Sequence, residues 1–313
     1  MDPRAVLCLG EIVIDLIGEP AGPLESTVAF VPRVGGAPAN VAVGLSRLGV
    51  PARFVGSVGD DEFAEVALRR MAREGVGLNG IIRERGAQTR CAIVVGPAGG
   101  RSFTFYGHPA ADGLLTPEVA TAPFGEDVAA LYLGSLPLTV EPSRGALLAA
   151  ARVASDRGIP VCFDPNPRGA WWGKGEPARA ALIDIAQLAT VIKLSVQDLV
   201  YLGWERAEVR ALAQGARLVV FTDGARGCEW WVDEQCEIVP PLVVESRDEV
   251  GAGDAFMAAL IARGVAAGFR FTRADVEFAA VAGALATTVT GAMDAMPTRE
   301  AVASALGRAR RGG

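Results

Sequence analysis

One histidine, His108, stands among 313 residues. Multi-histidine metal centres are thereby excluded. Cysteine is sparse: Cys8, Cys91, Cys162, Cys228 and Cys236 are scattered, odd in number and never spaced as Cys-x-x-Cys. They read as reduced, mostly buried thiols of a cytoplasmic protein. Aromatics supply only 6% of the chain while half of it is hydrophobic, so the core must be built from Ala, Val, Leu and Ile. Basic clusters are missing and the net charge is −6, which speaks against nucleic acid as a partner. The Arg308, Arg310, Arg311 tail reads instead as a solvated helix end favoured by the dipole. No apolar run spans a membrane; the longest, from Phe256, stops at Arg263. The opening residues pass directly into a strand-like 6–9 run without a signal-peptide layout.

What the chain does have is the stretch Glu249-Val250-Gly251-Ala252-Gly253-Asp254-Ala255-Phe256. Two glycines one residue apart allow a tight turn whose successive amides point at one spot, where a helical run begins. Unpaired amides and the positive end of the helix dipole make such a spot an anion site. Asp254 stands at its edge. Anion-binding amides beside a carboxylate base are what phosphoryl transfer to a hydroxyl requires. For an isolated Gly-x-Gly-Asp the commoner reading is that Asp254 only caps its helix. A dinucleotide fingerprint fails because Phe256 occupies the position of its third glycine. A Walker loop fails at Gly173-Lys174-Gly175, which lacks the spacing and the hydroxyl.

Short apolar runs at 6–9, 52–58, 130–133, 161–163, 191–194, 218–222 and 243–245 alternate with helical stretches beginning near Ala39, Glu62, Ser143, Asp254, Arg273 and Thr298. This rhythm predicts an α/β fold, a Rossmann-like, mostly parallel sheet with helices on both faces. Sites of such sheets lie beyond the carboxyl ends of the strands. Two segments break the rhythm: 12–34 is extended with Pro20, Pro23 and Pro32, and 90–95 with 102–106 reads as a hairpin around Pro97-Ala98-Gly99-Gly100. They predict a small β lid of antiparallel strands from about 12–34 and 88–108, within a single domain covering 1–313.

Three further constellations fall after strands. Gly35-Gly36-Ala37-Pro38-Ala39-Asn40 opens a helix; Pro38 suits its first turn, and Asn40 offers a donor and an acceptor to a hydroxyl. Phe163-Asp164-Pro165-Asn166-Pro167-Arg168 presents an acid, an amide and a guanidinium, the last suited to phosphate or carboxylate. Thr222-Asp223-Gly224-Ala225-Arg226-Gly227 permits a tight turn whose amides can hold a phosphate. Each also reads as an ordinary turn or helix start, and Trp171 and Trp172 as packing residues.

Taken in order, these motifs resemble the ribokinase-like (PfkB) carbohydrate kinases, and within them the bacterial fructokinases, to which Ala110-Ala111-Asp112 and Gly283-Ala284-Leu285 … Gly291-Ala292 … Pro297-Thr298 are also similar. The resemblance implies ATP-dependent phosphorylation of a sugar hydroxyl, with fructose the leading acceptor. It implies Asp254 as base and the Gly251, Ala252 and Gly253 amides as anion hole. Asp15, Gly35, Gly36, Asn40 and Tyr106 would face the sugar, with Arg168 serving sugar or phosphate. Asn166, Lys193, Ser195, Thr222, Gly224 and Gly227 would line the nucleotide side. Magnesium would be bound mainly through phosphates and water, with Asp198 acting indirectly, and potassium through Asp248 and the Val250 carbonyl. It also implies a homodimer joined through the lid.

The chain departs from the family pattern in three places. The family's Asn-x-x-Glu is Ser195-Val196-Gln197-Asp198, the pair after Asp248 is Glu249-Val250 rather than threonine-rich, and the lid reads Phe105-Tyr106-Gly107-His108 without an arginine. The competing expectations are a 2-keto-3-deoxygluconate kinase using Arg168 against a carboxylate, a nucleoside kinase, and a non-catalytic binder that kept the fold.

Overall fold

The computed structural model describes residues 4–96, 100, 102–107, 109–167 and 176–312. Arg168, Trp171, Trp172, His108, the 173–175 segment and the 97–99 turn lie outside the described residues.

Nine strands form the main sheet: β1 (Ala5–Leu9), β4 (Ala52–Gly59), β5 (Gly77–Glu84), β8 (Val128–Leu133), β9 (Val161–Phe163), β10 (Val191–Ser195), β11 (Leu218–Thr222), β12 (Cys228–Val232) and β13 (Gln235–Val239). Their order is β13-β12-β11-β10-β9-β8-β1-β4-β5. From β5 to β11 every pairing is parallel; β12 and β13 add an antiparallel edge. The central strands are buried on both faces, so they read as continuous apolar runs without alternation. In β1 the side chains nonetheless divide by parity. Val6 and Cys8 join one core layer, Leu7 and Leu9 the other.

The first layer holds α1 (Ala37–Arg47), α2 (Glu62–Arg73), α8 (Ala252–Ala267), α9 (Arg273–Ala286) and α10 (Arg299–Gly312). The second holds α3 (Pro117–Thr121), α4 (Ser143–Asp156), α5 (Glu176–Leu188), α6 (Val196–Leu202) and α7 (Arg206–Leu212). Helix α8 is apolar around its whole circumference and accordingly buried from Asp254 to Ala262. It packs against α1 at close range: a Cβ placed on Gly44 would lie 2.7 Å from the Ala258 Cβ.

The smaller sheet, β3 (Ala29–Gly35), β2 (Val13–Glu19), β6 (Cys91–Val95) and β7 (Ser102–Tyr106), has the order β3-β2-β6-β7. Its strands occupy the two segments that break the α/β rhythm. The expectation of antiparallel strands holds for β2/β3 and β6/β7, whereas β2 and β6 run parallel.

One expected strand is absent. Residues 243–245 are irregular, and Val243 is 91% exposed. The segment is held instead at its far end, where the Arg247 and Asp248 amides donate to the Thr287 carbonyl at the end of α9. Conversely the edge strands β5 and β13 carry no strong apolar run, because sheet-edge strands are half solvated.

The α1/α8 contact yields a prediction. Gly44→Val forces extra volume into a backbone-close crossing and should destabilise the protein by about 1–3 kcal/mol. Urea unfolding measures this; an unchanged midpoint would show that the crossing can yield.

Candidate active site

The carboxyl ends of β1, β9, β10 and β11 converge on the amino ends of α1 and α8. The turn before α8 is built as its glycines foretell. Gly251 caps the helix at φ 86°, ψ −5°, a left-handed conformation that costs glycine little. It also has no room for a side chain, since a Cβ there would lie 2.8 Å from the Ala292 Cα. Asp248 fixes this arrangement: its buried carboxylate accepts from the Val250 amide at 3.2 Å and the Gly291 amide at 2.9 Å. The 248–251 and 291–292 loops are thereby held in contact.

Asp254 lies in the first turn of α8 and is buried. Its Oδ2 accepts from Asn40 Nδ2 at 2.7 Å. Asn40 is itself buried in the first turn of α1, and its Oδ1 accepts nothing from the described residues. A polar oxygen buried in this way calls for a donor such as a ligand hydroxyl. The Asp254 carboxylate and the Asn40 amide oxygen are therefore brought to one place by two helices more than 200 residues apart in sequence.

Beside them stands a second buried group. Lys193, in β10, donates to Asp164 Oδ2 at 2.5 Å, just past β9, with both side chains nearly inaccessible. The Lys193 ammonium lies under the glycine turn, 3.0 Å from where a Cβ on Gly253 would be. Burial lifts Asp164 to about 6, opposed by Lys193. Burial pulls Lys193 down, but Asp164, Asp198 and Asp254 outweigh it and leave the ammonium above its usual value. At neutral pH the pair is ionised.

On the next strands, Ser195 and Asp198 form a reciprocal capping box at the start of α6, at 2.7 and 3.1 Å. Asp198 is therefore engaged by the Ser195 amide and reaches Lys193 and Asp164 only through its field. Thr222 ends β11, and Gly224 and Gly227 follow at φ 51° and 90°. At Gly227 a Cβ would lie 2.2 Å from the Val239 carbonyl oxygen, so that position demands glycine. Asn166 adopts φ 35°, a strained setting seen in non-glycine residues at functional loops.

On the opposite side, Asp15 in β2 brings a carboxylate oxygen 2.8 Å from the Cβ position of Gly35. Gly36 adopts φ 100° with the Glu11 carbonyl oxygen 2.6 Å from its Cβ position. Tyr106 ends β7 and is 52% exposed.

Three buried polar features escaped the sequence reading of the site. Glu11 sits directly behind Gly36 and Ala37. Arg90 and Asp112 pair at 2.8 Å with almost no exposure. Tyr132, in β8, buries a hydroxyl that has no hydrogen-bond partner among the described residues. The available signal was a charge within or beside an apolar run, as in Gly10-Glu11-Ile12.

Known proteins share this sequence and fold over nearly the whole chain. A model of the pfkB family carbohydrate kinases matches residues 3–299. Fructokinase-1 of Zea mays is 36% identical over 316 residues, covering 97% of this chain and 98% of that protein. A fructokinase from Xylella fastidiosa, solved with bound ATP, superposes with a TM-score of 0.87 at 34% identity, covering 98% of this chain and 99% of that one. A double mutant of the Vibrio cholerae O395 fructokinase, solved with fructose, ADP and a potassium ion, gives a TM-score of 0.85 at 30% identity, covering 97% and 98%.

Proposed function

The chain belongs to the pfkB family of carbohydrate kinases, and we propose that it transfers the γ-phosphoryl group of ATP to a hydroxyl of fructose. The observation that carries this reading is the buried Asp254 carboxylate, aimed by Asn40 beside a glycine turn that opens α8. The named relatives support fructose as acceptor and ATP as donor.

In this reading Asp254 accepts the proton of the sugar hydroxyl as that oxygen bonds to the γ-phosphorus and ADP leaves. The Gly251, Ala252 and Gly253 amides, with the helix dipole behind them, take up charge on the transferring group. Lys193 adds a fixed positive charge beneath the same turn. Asp15, Gly35, Gly36 and Asn40 hold the sugar, and Tyr106 and Arg168 complete that side. Asn166, Ser195, Thr222, Gly224 and Gly227 line the nucleotide side. Magnesium would be held mainly by phosphates and water. Such an ion would neutralise phosphate charge, with Asp198 acting on it indirectly.

The four-stranded sheet serves as a lid. Its outer strands β3 and β7 carry exposed Phe30 and Tyr106, and open edges of this kind invite a second copy. Free thiols among the described residues suit a reducing compartment, and we place the protein in the cytoplasm. Light scattering should give twice the 32.5 kDa chain mass, falling to the monomer when β7 is blocked by Thr104→Pro. A monomeric parent protein would remove the lid-dimer reading.

A coupled assay of ADP release over fructose, other sugars, sugar acids and nucleosides tests the activity. Fructose should give the highest kcat/KM, above 2-keto-3-deoxygluconate. Asp254→Asn should lower kcat by about two to four powers of ten while fructose still binds, because only basicity is lost. A variant keeping more than about a tenth of kcat would reduce Asp254 to a helix cap.

The same reading extends to a potassium ion behind the glycine turn, which the Asp248 carboxylate and the Val250 carbonyl would hold as hard oxygen donors. Asp248 is the residue that joins the Val250 and Gly291 loops. Potassium should raise activity severalfold over tetramethylammonium at matched ionic strength, and Asp248→Ala should abolish the response. Equal rates in both salts would exclude the ion.

A further inference from the structure

Glu11 follows β1 and is 4% exposed. Its Oε1 accepts from the Ala37 amide at 3.3 Å. That amide belongs to the first turn of α1, whose N-cap, Gly36, has no side chain to offer. The Glu11 backbone carbonyl packs against Gly36, and its Oε2 points at the end of β8, 2.6 Å from a Cβ position on Gly134. Oε2 has no hydrogen-bond partner among the described residues. One turn along α1, the Asn40 amide donates to Gly36 and the Asn40 side chain holds Asp254. Glu11 thus grips the root of the segment that presents both the Gly35-Gly36 loop and the partner of Asp254.

We propose that Glu11 is a positioning residue for the phosphoryl-transfer site: by accepting from the Ala37 amide it fixes the first turn of α1, and with it the sugar loop and Asn40. The inference rests on the sugar-kinase reading for its kinetic consequence, but not for its structural one.

The surroundings explain why the neutral form is the one that holds. The groups whose charges bear on Glu11 are Arg90 and Asp112, with Tyr132 nearby. Arg90 and Asp112 already cancel each other in their buried pair. A Glu11 carboxylate would leave one net negative charge buried in the interior, which is costly. The Ala37 amide and Arg90 favour ionisation, yet burial dominates and lifts the group to about 8. Above that pH the proton leaves. The charge then draws the side chain toward Arg90 or water and loosens the turn.

Glu11→Gln mimics the neutral acid and cannot ionise; Glu11→Leu removes the acceptor of the Ala37 amide. Wild type should lose stability relative to Glu11→Gln as pH rises from about 4.5 to 8 and then run parallel to it. The folded state retains a proton across that window while the unfolded chain does not. With fructose, the wild-type KM should rise severalfold between pH 7.5 and 9.5 with kcat changing less, whereas Glu11→Gln should show a flat KM close to the neutral-pH value of wild type. Glu11→Leu should raise KM at every pH. Identical pH curves of melting temperature and KM for wild type and Glu11→Gln, or a wild-type KM in Glu11→Leu, would overturn the proposal. If no sugar is phosphorylated, the function reading fails, and the melting-temperature curves still decide whether Glu11 is held neutral.

Discussion

The hydrogen bond from Asn40 to Asp254 is the contact on which the site depends. It spans the amino ends of α1 and α8, two helices that enter the same core layer from opposite ends of the chain. Each helix alone offers a glycine turn and an ordinary first turn. Joined, they set a carboxylate and an amide oxygen side by side at the mouth of the anion-binding turn. The contact is possible only because the helices cross closely at Gly44 and Ala258. Packing in the core, rather than any local motif, fixes the geometry of the chemistry.

This dependence also explains which parts of the molecule were readable. The parallel strands were visible because they are buried on both faces and spell continuous apolar runs, as in Val6-Leu7-Cys8-Leu9. The glycine turns were visible because their backbone geometry excludes other residues, as at Gly251 and Gly227. The 243–245 run was misread because Leu242, Val243 and Val244 satisfy a strand pattern while no neighbouring strand pairs with them. The antiparallel hairpin of β12 and β13 was missed for the opposite reason: its turn is at Asp233, φ 51°, and β13 is exposed along most of its length, so no continuous apolar run marks it. Glu11, Arg90 and Asp112 were opaque because a charged residue in sequence reads as surface. Their burial follows from tertiary partners up to 26 residues distant.

Those hidden charges form a layer beneath the strand ends. Arg90 and Asp112 neutralise each other, Asp164 neutralises Lys193, and Glu11 avoids the problem by keeping its proton. A layer of this kind contributes little net stability, because desolvation offsets most of the Coulombic attraction. What it supplies is orientation: every charged side chain is tied to a different strand or loop, so that displacing one would strand another in a low-dielectric interior.

The same economy bears on phosphoryl transfer. A triphosphate brings several negative charges into a cleft whose nearest acids are Asp254, Asp164 and Asp198. Left unbalanced, they would repel it. In this chain Asp198 is spent on the Ser195 amide and Asp164 on Lys193, and the ammonium lies directly under the Gly253 turn. Asp254 is held by Asn40, whose neutral amide adds no charge. A cationic partner there would depress its basicity, and a second carboxylate would repel the donor. The neutral clamp fixes the carboxylate in place without adding a charge to the cleft.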